Sequence, residues 1–180
     1  MKGFSSKAIG NLGRPALDYV HIKKDYFVIE VSSFHLEISD NLKSDLSILL
    51  NISEDHLDRH KTFDNYKNIK NSIFDNSNIS IGNKDDENIR KDLTNYFDGN
   101  INLDIANLNA VKATLDNIGI NYLFEELEEQ NFKPEHRMEV FYKDKLNRIF
   151  INDSKATNCG ATLAAINSIK GDEKIFLICG

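Results

Sequence analysis

The sequence has no tryptophan, two prolines and two cysteines, and no apolar stretch near the ~18 residues that a membrane-spanning helix needs. With neither such a run nor an apolar leader at the N-terminus, no membrane partner and no secretory signal are expected, and the reading is a cytoplasmic protein. Cys159 and Cys179 stand in no metal-ligand spacing and form no disulfide framework. Cys159, close to a helix start where a thiol can be activated, is read as a small buried filler in preference to a reactive group. Basic residues are few and scattered. With 22 Lys and Arg against 28 Asp and Glu the net charge is −6, so there is no basic patch to recruit phosphates and no nucleic-acid partner is expected. A length of 180 residues suffices for one domain or parts of two.

The stretch that organises the rest is Glu30-Val-Ser-Ser-Phe-His-Leu-Glu37, which follows the apolar run Tyr26-Phe-Val-Ile. A β-branched and aromatic run of that length, flanked by charged residues, predicts a buried strand of a parallel sheet over 26–32. Glu30 then stands near its carboxyl end, the edge at which open α/β sheets bind ligands. It is either a metal-binding or base carboxylate or a Glu that caps the next turn, and the segment does not choose. A second run, Asp45-Leu-Ser-Ile-Leu-Leu-Asn-Ile52, leads into Ser53-Glu-Asp-His-Leu-Asp-Arg-His60. Neighbouring strands carrying Glu30 and His56 to one crevice would make a divalent-cation site. A solvated charged turn is the competing reading.

Elsewhere the pattern alternates strand and helix. A short strand precedes Gly10-Asn-Leu-Gly13, and Pro15 is placed in the first turn of a helix through Ala16, Leu17 and Val20. Phe63, Tyr66, Ile69, Ile73 and Phe74 recur at helical spacing, with Lys70 on the edge of their stripe, as a snorkelling side chain or as a site lysine. A strand over 79–83, a polar helix over 85–96, a loop over 98–104, a helix over 109–118 stopped by Gly119, and an acidic helix over 122–130 follow. A domain boundary is set at Lys133-Pro134. Beyond it stand a hairpin of strands 138–143 and 148–152, a helix opened by residues 152–158, and a core strand over 174–180. The fold class is α/β, with a mostly parallel sheet flanked by helices in residues 1–133 and the start of a Rossmann-like unit in 134–180.

Seven phrases, in order along the chain, carry a family likeness: Gly10-Asn-Leu-Gly13, Glu30-Val-Ser-Ser-Phe-His-Leu-Glu37, Asn51-Ile-Ser-Glu-Asp-His-Leu-Asp58, Tyr66-Lys-Asn-Ile-Lys70, Asn109-Ala-Val-Lys-Ala113, His136-Arg137 and Ile151-Asn-Asp-Ser-Lys-Ala-Thr-Asn158. Together they resemble the Mur ligases, ATP-dependent amide-forming enzymes of peptidoglycan synthesis and thus of cell-wall growth, cell shape and division. The Ser-Ser-Phe and Asn-Asp-Ser-Lys-Ala-Thr-Asn phrases point to the branch that adds D-glutamate to UDP-N-acetylmuramoyl-L-alanine.

The resemblance implies a set of roles. Glu30, His56 and an N-carbamylated Lys70 would bind Mg²⁺, with His56 and Lys70 serving catalysis. Asn109, Arg137, Asp153 and Lys155 would hold ATP. Asn11 and Ser32 would face the UDP-muramoyl substrate, and Thr157 the D-glutamate. The full-length enzyme is expected to be a monomer.

Departures accompany the likeness. No Gly-x-x-Gly-Lys-Ser/Thr phosphate loop occurs, although the family has one upstream of Gly10. The expected His-Asn pair before Asn109 is replaced by Ala106-Asn107. The 180 residues are read as an internal fragment, inactive alone, lacking the N-terminal uridine-binding domain and most of the C-terminal domain, with an unpaired apolar sheet edge. Alternatives are another ligase of the superfamily such as a folylpolyglutamate synthase, a non-catalytic remnant of the fold, or a metal hydrolase built on Glu30, His56 and His60.

Overall fold

Parallel strand pairs frame the molecule, as the apolar runs require. The computed structural model describes residues 3–12, 14–100, 102–123, 125, 127, 135–169, 171 and 174–179. Strand β1 (Ser6–Gly10) pairs in parallel with β2 (Tyr26–Glu30), Gly10 opposite Glu30. Helix α1 (Ser33–Ile38) follows directly, its first turn closed by the Ser32 hydroxyl, which accepts the His35 N–H at 3.3 Å.

A second sheet has the order β3 (Ser44–Leu49), β4 (Ser77–Asn83), β5 (Asn95–Phe97), all parallel. Short helix α2 (Leu57–His60) and helix α3 (Phe63–Asn71), extended by a 3₁₀ turn to Phe74, connect β3 to β4. Helix α4 (Leu103–Asn117) follows β5 and stops at Ile118 and Gly119, whose φ is +68°. The sheet is covered on both faces. Leu46, Ile48, Ile79 and Ile81 meet Phe97, Ala110 and Ala113, the last two from α4. On the other face Leu49 and Ile52 join Tyr66 and Phe74 from the α3 side, closed by Ile89, which is 1% exposed.

A hairpin of β6 (Glu139–Lys143) and β7 (Ile149–Asn152) is antiparallel, with a bulge at Phe141 between the paired Val140 and Tyr142. Its turn is tied by Asp144, whose carboxylate accepts the N–H groups of Leu146 and Arg148 at 2.9 Å. Helix α5 (Cys159–Ser168) is capped by Asn158.

The structure corrects the sequence reading at several places. Strand β2 is parallel but not buried, since Phe27, Val28 and Ile29 are 38–62% exposed. Its paired strand is β1 alone among the described residues, and no sheet continues it. The polar helix over 85–96 is not formed. Asp and Asn side chains there hydrogen-bond nearby backbone and favour turns: Asp86 accepts the Asn88 N–H, and the Asn71 side chain accepts that of Arg90, both at 2.9 Å. Helix α4 begins six positions before 109, because Asn102 accepts the N–H groups of Asp104 and Ile105 and turns the expected loop into a cap.

Pro15 precedes a single 3₁₀ turn (Ala16–Tyr19) with no buried residue, where a longer helix was expected. Residues 174–179 form no strand, and Phe176 and Ile178 lie in the open at 86% and 96% exposure. An apolar composition supplies strand propensity but no partner. Cys159 is exposed as the first residue of α5, since α5 turns that position away from its packed side. The boundary at Lys133-Pro134 and most of the acidic helix lie outside the described residues; of the latter, Glu125 and Leu127 are helical.

Candidate active site

Glu30 ends β2 and is exposed, so the cost of burying a carboxylate does not arise. Its partner is Asn11, which follows the turn at Gly10. The Asn11 side chain donates to Glu30 Oε1 at 3.0 Å and its backbone N–H to the Glu30 carbonyl at 2.9 Å. Gly10 makes this approach possible. Its φ is +94°, and a Cβ there would stand 2.3 Å from the Glu30 carbonyl oxygen.

Lys70 is half-buried in the last turn of α3, on the edge of the stripe that carries Tyr66 into the core. Burial holds its ammonium below the ordinary value of 10.5, while the negative charges of Glu30 and Asp55 pull it back up. Two segments distant in sequence, the end of β2 and the loop after β3, therefore act on an amine carried by a third, the end of α3. His56 adjoins Asp55 and sits in the left-handed region, at φ 52° and ψ 33°. Its ring packs 5.0 Å from that of Phe34 and 6.4 Å from that of Tyr66, with Nδ1 3.6 Å from Asp55 Oδ1. The Tyr66 hydroxyl is pushed above its ordinary value by burial and then by the charge of Asp55.

His60 has a different place. It is 1% exposed, stacked on Phe34, with Nε2 3.0 Å from the buried hydroxyl of Ser33. That makes it a core histidine joining α2 to α1. Among the described residues no three His, Cys, Asp or Glu side chains are grouped to hold a metal.

Arg137, Asp153 and Lys155 gather at one end of the hairpin. Asp153 accepts the Met138 N–H at 3.0 Å, and the Lys155 N–H donates to the His136 carbonyl at 3.2 Å, so the two loops are clasped. Arg137, Lys155 and Thr157 are exposed. Ser32 spends its hydroxyl on the α1 cap and on His35 Nδ1 at 3.0 Å. Asn109, half-buried on α4, donates to the Asp98 carbonyl at 2.8 Å. Nearby, a recess of about 550 Å³ is lined by Asn83, Asp85, Asp86, Glu87, Asn88, Gly99 and Asn100. Its carboxylates give it the wrong sign for a phosphate, and Asp85 and Asp86 are committed to the N–H groups of Gly99 and Ile52.

Sequence reasoning passed over Asp55 and Asn158. The Asn158 side chain donates to Asp55 Oδ2 at 2.9 Å and joins the α5 end to the loop bearing His56. Both residues lie inside quoted phrases, and their adjacency to His56 and to a helix start was the available signal.

The model of the Mur ligase middle domain matches residues 12–139. Among curated proteins, the chain is 34% identical over 200 residues to a protein named UDP-N-acetylmuramoylalanine--D-glutamate ligase from Francisella philomiragia, covering 99% of this chain and 48% of the relative. Proteins of the same name from Francisella tularensis subsp. novicida and Prochlorococcus marinus are 35% and 33% identical, over 99% and 95% of this chain and 47% and 46% of theirs. The chain thus spans about half the length of the curated relatives it matches. No helix among the described residues is long and apolar enough to cross a membrane.

Proposed function

The chain belongs to the Mur ligase family, and from that premise we propose that it carries the central part of an ATP-dependent ligase that joins D-glutamate to UDP-N-acetylmuramoyl-L-alanine in the cytoplasm. The observation that carries the reading is the setting of Lys70: an amine made less basic by burial, with the carboxylates of Glu30 and Asp55 acting on it. A neutral amine adds CO₂, losing one proton and becoming a carbamate whose oxygens can face a cation. With Lys70 so modified, its positive charge is replaced by a second anionic oxygen donor beside Glu30 and His56, and this donor set suits Mg²⁺, which takes few protein ligands and completes its shell with phosphate oxygens and water. When bound, the ion would offset charge on the phosphate oxygens of ATP.

In this reading the muramoyl-alanine carboxylate attacks the γ-phosphoryl group, ADP departs, and the D-glutamate amine displaces phosphate from the resulting acyl phosphate through a tetrahedral intermediate. Arg137, Asp153 and Lys155, clasped at one end of the hairpin, would hold the nucleotide together with Asn109. Asn11 and Ser32 would orient the muramoyl substrate and Thr157 the D-glutamate.

The test is ¹³C NMR of the chain in ¹³C-bicarbonate. A carbamate resonance that vanishes in Lys70→Arg, together with Mn²⁺ binding that weakens in Glu30→Gln and His56→Ala, is the expected result. No carbamate at saturating bicarbonate and no Mn²⁺ binding would overturn it.

A further inference from the structure

Asp55 has both carboxylate oxygens committed, each to a different partner. Oδ1 accepts the N–H of His56 at 2.9 Å, while Oδ2 accepts the side-chain amide of Asn158, 103 positions away, at 2.9 Å. Asn158 is itself committed twice, because its Oδ1 accepts the Ala161 N–H at 2.8 Å and caps α5. A second contact, independent of that amide, fixes the same approach. A Cβ built on Gly160 would stand 3.2 Å from the Ser53 Cβ and Oγ, so the first turn of α5 lies with its backbone against the loop that carries His56. His56, held by Asp55, sits in a left-handed backbone conformation that residues other than glycine seldom take.

We propose that Asp55 is a positioning residue that couples the docking of the α5 N-terminus to the backbone and ring orientation of His56. A carboxylate bonded at both oxygens cannot rotate without giving up a partner. With Asn158 in place the Asp55 plane is fixed, and so is the His56 N–H that it accepts. When the end of α5 leaves, Oδ2 loses its donor, Asp55 is free to turn toward the Lys70 ammonium on which its charge already acts, and His56 is released from its left-handed position. The site around Glu30, His56 and Lys70 is then assembled only while α5 sits on the loop. This functional consequence rests on the reading of those residues given above; the coupling does not.

Two substitutions separate the coupling from the integrity of the helix. Asn158→Ser keeps a strong N-cap but removes the amide that reaches Asp55. Asn158→Asp keeps the cap and sets a second negative charge against Asp55. In NMR and hydrogen exchange on the labelled 180-residue chain, both variants are expected to move the His56 amide and ring resonances. The Asp variant is expected to lower His56 amide protection roughly tenfold, with α5 amide protection within about twofold of the parent in the Ser variant.

His56 resonances unchanged in the Ser variant, with α5 intact, would overturn the coupling, and that comparison decides even if the Asp variant detaches α5. No metal is present in this experiment. A failure of Mn²⁺ to bind the parent chain counts against the ligase reading alone.

Discussion

Asn11 grips Glu30 twice, by its side-chain amide at 3.0 Å and by its backbone N–H at 2.9 Å. The grip depends on Gly10, whose left-handed backbone brings the chain within reach. Gly10→Ala would set a methyl group 2.3 Å from the Glu30 carbonyl oxygen at a φ of +94°. Strain of that kind costs on the order of 1–3 kcal/mol. The expected outcome is loss of hydrogen-exchange protection at the Asn11 amide together with weaker Mn²⁺ binding. Protection unchanged from the parent would mean that Glu30 does not need this turn.

The other end of β1 offers a pH readout. Asp25 accepts the Ser5 N–H at 2.7 Å and the Ser5 hydroxyl at 2.8 Å, and these bonds hold its carboxyl below the ordinary value of 3.8. Because the folded value is the lower one, the clamp contributes fully above 3.8 and fades as pH falls through the lowered value. In a ¹³C titration the Asp25 carboxyl should therefore turn over below 3.8, in step with the Ser5 amide, and Ser5→Ala should move the midpoint upward. A midpoint at or above 3.8 in the parent chain contradicts the clamp.

The sequence contains no Gly-x-x-Gly-Lys-Ser/Thr. A loop of that kind supplies the backbone N–H groups and the lysine that cradle β- and γ-phosphates. Residues 1–180 alone are expected to release no phosphate when given ATP, D-glutamate and the UDP-muramoyl-alanine substrate. Turnover dependent on all three would overturn that expectation.

Where local pattern and tertiary demand agree, the elements were legible. The stripe of Phe63, Tyr66 and Phe74 has one period and one face, and it is buried as that period requires. Glu30 at the end of β2 followed from a run of strand formers that β1 does pair. Two of the misreadings, the helix over 85–96 and the start of α4, share a cause: short polar side chains that bond to backbone. Asn102 sits in a stretch rich in Asn and Asp, a composition common to loops and caps, and only the N–H groups of Asp104 and Ile105 decide between them. Ile89, at 1% exposure, is a lone apolar residue among charges, invisible as core until β4 and α3 meet above it. The sequence phrases single out Glu30, His56 and Lys70 as candidates, and burial and the charges of Glu30 and Asp55 act on Lys70. The contact between Asp55 and Asn158 spans 103 positions, and no periodicity encodes it.

Asn71 is the residue that gives the 85–93 segment its shape, and it yields the sharpest stability test. It follows Lys70 at the end of α3. Its amide donates to the Lys67 carbonyl at 2.9 Å and to the Asn88 carbonyl at 3.0 Å, while its oxygen accepts the Arg90 N–H at 2.9 Å. Between the last two anchors lies Ile89, which fills the core over Tyr66 and Phe74 and against which a side chain on Gly82 would collide. Asn71→Ala removes all three bonds and leaves two partly buried backbone groups of the segment without those partners. An unsatisfied buried group costs about 1–3 kcal/mol, so a loss of about 2 kcal/mol is expected in urea unfolding. Ile89→Ala should cost about 3 kcal/mol by cavity formation. If Asn71 acts by seating Ile89, the two losses will not add: the double variant should fall short of their sum by more than about 0.5 kcal/mol. Strict additivity would mean that Ile89 finds its place without the amide, and that the turn chemistry of residues 85–93 alone shapes the segment beside Lys70.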